Sequence, residues 1–116
     1  MHRWATLMMA GPTVDDGEAM TRYFVTRHTG AVAWAERHGH VFDVYLAHLE
    51  PTQTFVAGDV VAGVLPVHLV AELCEQGVVY LNLSLNLPVT LRGQELSADQ
   101  LEQCEARLEQ LVVTRP

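Results

Sequence analysis

Residues 59–83, DVVAGVLPVHLVAELCEQGVVYLNL, decide the fold. Asp59 to Leu65 is an almost unbroken apolar run of strand length, and a strand covered on both faces need not alternate. Pro66 stands where a helix accepts proline, in its first turn, because the N–H it removes has no partner within the helix. VHLVAELCEQG then has the periodicity of an amphipathic helix, with Gly77 placed as its C-cap. Val78 to Leu83 is a second apolar strand. Strand, helix and strand in direct succession predict two parallel strands joined by a right-handed crossover.

The pattern extends upstream. Tyr23, Phe24 and Val25 are strand formers that stop at Arg27-His28-Thr29-Gly30, and AVAWAERHG then reads as a short helix. VFDVYLAHL, residues 41–49, reads as a further strand between Gly39 and Pro51, and 50–58 as a connection. Downstream, a loop holding Asn86, Pro88 and Gly93 leads to a last helix. Ser97 and Gln100 fit a capping box there, and Leu101, Cys104, Leu108 and Leu111 form its apolar face. Asp99, Glu102, Glu105 and Glu109 fall opposite, as a solvated face. The predicted architecture is α/β: a small Rossmann-like three-layer domain with a mainly parallel four-stranded sheet, order 2-1-3-4. Residues 1–19 show no sustained period and are expected to be a flexible extension, with a single domain over 20–116.

Composition sets limits on function. A chain of 116 residues fits one core, and 49% apolar with 18% charged residues is a globular balance. Seven arginines, no lysine and fourteen acids give a net charge of -7, which excludes binding of long DNA or RNA through a general positive field. Without lysine side chains, Schiff-base catalysis and a P-loop are excluded too. Cys74 and Cys104 lack metal-site spacing and read as buried thiols in a reducing compartment. No apolar run approaches bilayer length, so a soluble, cytoplasmic protein with no membrane partner is expected.

In a 2-1-3-4 sheet the topological switch lies between the first and third strands, and ligands bind there outside the carboxyl ends. The loops at that point are Thr26-Arg27-His28-Thr29-Gly30 and Leu65-Pro66-Val67-His68. Each enters a helix N-terminus, where unpaired N–H groups and the helix dipole favour an anion. Arg27 is suited to fork onto phosphate oxygens, Thr26 and Thr29 to donate hydroxyls, and Gly30 to admit a backbone closely. His28 is the first acid/base candidate, His68 the next, and His48 is placed to line the same rim. His38-Gly39-His40 lacks a third ligand nearby, so no metal is assigned. Trp34 reads as core or interface. Residues 20–68 hold three arginines against four acids and five of the six histidines, while 69–116 hold three arginines against seven acids. A small anion therefore meets the least repulsion in the first half of the domain.

FVTRHTGAVAWAERHG (24–39), AHLEP (47–51), GDVVAGVLPVHLVAELCEQGVVYLNLSLNLP (58–88) and RGQELS (92–97) together resemble a family. It is that of the small type III CRISPR-associated proteins numbered sixteen in the Csx series, regarded as ring nucleases and similar to CARF domains. Arg27, His28, Pro66 and His68 match its pattern; Glu50, Val64 and Asn86 stand where it has Asp, Thr and Asp, and no role is carried to Val64 or Asn86. The resemblance implies a homodimer that cleaves a cyclic oligoadenylate, cyclic tetra-adenylate, and so switches off antiviral signalling. It further implies a reaction without metal or cofactor, in which a ribose 2'-hydroxyl attacks the adjacent phosphorus and leaves a 2',3'-cyclic phosphate. Arg27 would then stabilise the phosphorane and His28 or His68 move protons. Thr26, Thr29, Gly30, His48 and the Leu65-Pro66-Val67 turn would hold the ring. The alternatives are a non-catalytic sensor or sponge for the same messenger, and an adaptor with no nucleotide ligand.

Overall fold

The protein folds as β1 (Arg22–Val25), α1 (Thr29–Arg37), β2 (Val44–Leu46), β3 (Val60–Gly63), α2 (Val67–Glu75), β4 (Val79–Ser84), a 3-10 turn (Val89–Leu91), α3 (Ala98–Gln103) and β5 (Arg107–Leu111). The structure, a computed structural model, describes residues 20–116, so the extension expected over 1–19 lies outside the described residues. The sheet order is β2-β1-β3-β4-β5, parallel from β2 to β4, with β5 antiparallel to β4. The predicted order 2-1-3-4 is present, but the sheet has five strands and is mixed.

Every residue of β3 is buried, which accounts for its lack of alternation. Val60 and Ala62 join Phe24, Leu81 and Leu83 on one face of the sheet, beneath Ala31, Trp34 and Ala35 of α1 and Ala98 and Leu101 of α3. Val61, Val25 and Tyr80 point the other way, onto Val70 and Leu73 of α2. The two helical layers thus follow from the two faces of the sheet. Trp34 is a core residue, 1% exposed.

Two boundaries differ from the sequence reading. The strand expected over 41–49 pairs only at Val44–Leu46, because β1, its sole neighbour among the described residues, pairs it through Tyr23, Phe24 and Val25. Ala47, His48 and Leu49 are thereby released into a loop at the carboxyl end of the sheet. The helix expected to run through Leu111 ends at Gln103. Glu105 takes the left-handed conformation, φ 59°. Its N–H bonds the Glu102 carbonyl and the N–H of Ala106 bonds that of Leu101, the two bonds of a Schellman stop. The chain then reverses, so Leu108 meets Leu83 across the β4–β5 pair and Glu109 receives the Ser84 hydroxyl at 2.7 Å. The capping box at the other end is present: Ser97 accepts from the Gln100 N–H and Gln100 returns the bond.

His40 lies half-buried beneath α1, 5.6 Å from the Trp34 ring and 6.3 Å from that of His38. Burial, and then the charges of His38 and Arg22, hold it below the ordinary histidine value. A histidine so depressed binds fewer protons folded than unfolded, so stability is full above about pH 6.5 and declines as pH falls through that value. The denaturant midpoint should therefore drop between pH about 7.5 and 5.5, and His40→Gln should flatten that drop; an unchanged slope in the variant contradicts the assignment.

Candidate functional site

β1 and β3 are adjacent and parallel, but α1 packs on one face of the sheet and α2 on the other. The loops leaving the two strands therefore diverge. Between them, at the carboxyl edge, opens a cavity of about 700 Å³. Thr26, Arg27 and His28 line it from the first loop, His48 from the end of β2, and Leu65 and Pro66 from the loop after β3. Thr29, Gly30, Val67 and His68, also expected at the site, are outside its lining; they sit in the first turns of α1 and α2.

The first loop is built by short hydrogen bonds. The Thr26 N–H donates to the Leu46 carbonyl at 2.8 Å, and the Thr26 hydroxyl accepts from the His28 N–H at 3.1 Å. His28 is the N-cap of α1: its carbonyl accepts from Ala31 and Val32, while its side chain takes no part in the cap. The backbone of His28 is thus fixed, and its imidazole is left out of the cap. The ring's Nδ1 lies 3.3 Å from a Glu95 carboxylate oxygen. Arg27 is exposed and, among the described residues, has no carboxylate partner. A pairing with a surface acid, the ordinary fate of such an arginine, is not what this loop provides. His48, across the cavity, meets Glu50 through Nε2 at 2.5 Å.

The second loop starts at Gly63, φ 150°, where a Cβ would stand 2.6 Å from the Val25 carbonyl oxygen. The Leu65 N–H donates to the Tyr80 hydroxyl at 3.1 Å, and that hydroxyl reaches the Gly63 carbonyl at 3.0 Å and Asn82 Oδ1 at 2.7 Å. Burial pushes the Tyr80 phenol up, against the opposing effect of the Leu65 N–H, so it remains a neutral brace. Leu65 consequently has no N–H to offer a phosphate, and Pro66 has none by its chemistry. The donors on this side are the first-turn N–H groups of α2, ahead of the bonds from Leu69 and Val70 to the Pro66 carbonyl. His68 lies in that turn, and its own carbonyl accepts from Arg115 at 3.4 Å.

Gly30 does admit a backbone closely. The group that approaches it is the chain's own Leu96 carbonyl, whose oxygen would be 1.9 Å from a Cβ there. This contact draws the 92–97 segment over the cavity, where Gln94 and Leu96, with Leu85 and Leu87, make a wall that the residue pattern did not reveal. RGQELS was visible as a motif; its return to the first loop depends on β4 leading back beneath α1. No group of three histidine, cysteine or acidic side chains among the described residues is arranged to hold a metal, and both cysteines are free.

No helix among the described residues is long and apolar enough to cross a membrane. No curated protein and no solved structure matches the chain. Residues 23–114, which include every residue lining the cavity, match the sequence pattern of the family described as "Putative CRISPR-associated protein (Cas_VVA1548)", and the chain belongs to that family.

Proposed function

We propose that this protein is a ring nuclease of type III CRISPR defence, a CARF-like domain acting in the cytoplasm as a homodimer on cyclic tetra-adenylate. The observation that carries the reading is the first loop: an Arg27 with no carboxylate partner among the described residues, beside a His28 whose backbone is fixed, both lining a cavity at the switch point. Membership of a CRISPR-associated family makes a cyclic oligoadenylate the fitting small anion. A ring of phosphates needs only a local cradle, and an isologous dimer would double Arg27 and His28 about its axis, so the acidic balance of the chain is no obstacle.

In the proposed reaction His28 takes the proton of a ribose 2'-hydroxyl. The 2'-oxygen then forms a bond to the adjacent phosphorus, the bond from phosphorus to the 5'-oxygen breaks, and the 5'-oxygen leaves with a proton from solvent, to which His28 returns the one it took. Arg27 balances the charge of the phosphorane, and the N-terminal dipoles of α1 and α2, which begin beside the cavity, favour the remaining phosphate charge. The step is an isomerisation that consumes no water, and positioning supplies most of the acceleration.

Incubation with radiolabelled cyclic tetra-adenylate in EDTA tests this. Conversion to a linear product supports the nuclease; a persistent complex with uncut ring identifies a sensor or sponge; absence of any binding identifies an adaptor.

A further inference from the structure

We propose that Glu95 is a positioning residue for His28, holding the imidazole in the tautomer that carries its proton on Nδ1 and so presents a basic Nε2 to the cavity. The inference rests on the role given to His28 above, but the pairing itself can be examined without any ring being cut.

Its basis is the way both partners are placed. Glu95 Oε2 stands 3.3 Å from His28 Nδ1, although the two residues lie far apart in the chain. Two long surface side chains often meet without consequence, but here the His28 backbone is held and Glu95 stands between held neighbours. His28 is fixed as the N-cap of α1 by bonds to its N–H and its carbonyl. Glu95 is flanked by Gln94, whose amide donates to the Thr90 carbonyl at 3.1 Å, and by Leu96, whose carbonyl is lodged against Gly30. Directly beyond, the Ser97 capping box anchors α3. The carboxylate is therefore brought to the His28 ring by a segment held on both sides of it.

Which nitrogen it meets matters. A neutral imidazole has one donor and one acceptor nitrogen, and a carboxylate can only accept. A proton on Nδ1 is what lets this 3.3 Å contact close into a hydrogen bond, and it leaves Nε2 as the base. His48 is turned the other way: its Nε2 is engaged by Glu50, which leaves Nδ1 as its basic nitrogen. Both His28 and Glu95 are more than half exposed, and such a pair contributes little to stability. An effect of Glu95 on rate is thus separable from an effect on folding.

The test uses the full chain labelled with 15N, and long-range 1H–15N correlation of its imidazoles at a pH where they are neutral, with His28 identified by its loss in His28→Ala. The wild-type ring should show the Nδ1–H form, Glu95→Ala should shift it toward Nε2–H, and Glu95→Gln, which keeps an acceptor, should retain Nδ1–H. In single-turnover cleavage Glu95→Ala should slow the step on the order of tenfold with KM nearly unchanged, less than the loss of the base itself. The His28→Ala/Glu95→Ala double variant should be no slower than His28→Ala alone. A wild-type Nε2–H ring, an unchanged rate in Glu95→Ala, or independent slowing by the two substitutions would overturn the inference. A wild-type protein that cuts no ring removes the nuclease reading instead, while the tautomer still decides whether the pair operates.

Discussion

His28→Ala should slow ring opening by about 10²- to 10⁴-fold under single-turnover conditions, the usual contribution of a general base. The substitution should leave the fold intact, because the His28 side chain is exposed and makes no capping bond, and the backbone bonds that begin α1 survive in alanine. Affinity for the ring should change little, since the imidazole acts on a proton and not on phosphate charge. Arg27→Ala should behave differently. Loss of the guanidinium should weaken binding and, by removing a charge aimed at the phosphorane, slow the step by about 10²- to 10³-fold. The comparison is made by measuring Kd by calorimetry and the single-turnover rate for each variant. Full single-turnover cleavage by His28→Ala would show that proton transfer is assigned to the wrong residue.

Gly30→Ala should be among the most destabilising single changes in this chain. A Cβ at that position would stand 1.9 Å from the Leu96 carbonyl oxygen, 3.0 Å from its carbon and 3.1 Å from the Ser97 Cα. All three are backbone atoms next to a helix cap, so none can swing aside as a flexible side chain would. Either α1 or the 92–97 segment must shift, and α1 and α3 pack against one shared core. Overpacking of this severity costs about 3 kcal/mol or more, which for a domain of this size lowers Tm by roughly 15 °C. Gly93→Ala is the control. Gly93 has φ 77° but nothing within 4 Å of a Cβ, so alanine there meets only the left-handed penalty of roughly 1 kcal/mol. Calorimetric Tm values that fail to separate the two variants would contradict the packing described for the first loop. Gly30→Ala should also lose cleavage at temperatures where it remains folded, because moving 92–97 withdraws Gln94 and Leu96 from the cavity wall.

The parallel part of the fold was legible because 59–83 carries its own punctuation. Pro66 opens a helix, Gly77 closes it, and the strands on either side are long enough in apolar residues to identify themselves. Once β1 is placed beside β3, the switch point follows, and with it the meeting of Thr26, Arg27, His28, Leu65 and Pro66. The C-terminal strand was not legible. Leu101 and Cys104 share a helical face, and Leu108 and Leu111 continue the same period, so nothing in the apolar pattern marks the break. The break depends on Glu105 adopting a conformation that glycine usually supplies, supported by Asn86, whose N–H donates to the Cys104 carbonyl and whose amide donates to the Glu105 carboxylate. That support comes from a distant loop, and local periodicity carries no trace of it. Gly30 has the same character: a glycine beside a helix start marks a point of close approach, but the approaching group depends on the path of β4 and the 85–97 segment. The His28 and Glu95 pair was hidden for that reason too.

The most direct measurement is 31P NMR of cyclic tetra-adenylate incubated with the wild-type protein in EDTA, because it reads the chemistry of the phosphorus itself. The account predicts that ring phosphodiester signal is replaced in part by the far-downfield resonance of a five-membered 2',3'-cyclic phosphate, and that His28→Ala slows its appearance. A spectrum in which the ring stays intact at stoichiometric protein, or opens without passing through the cyclic phosphate, would contradict it.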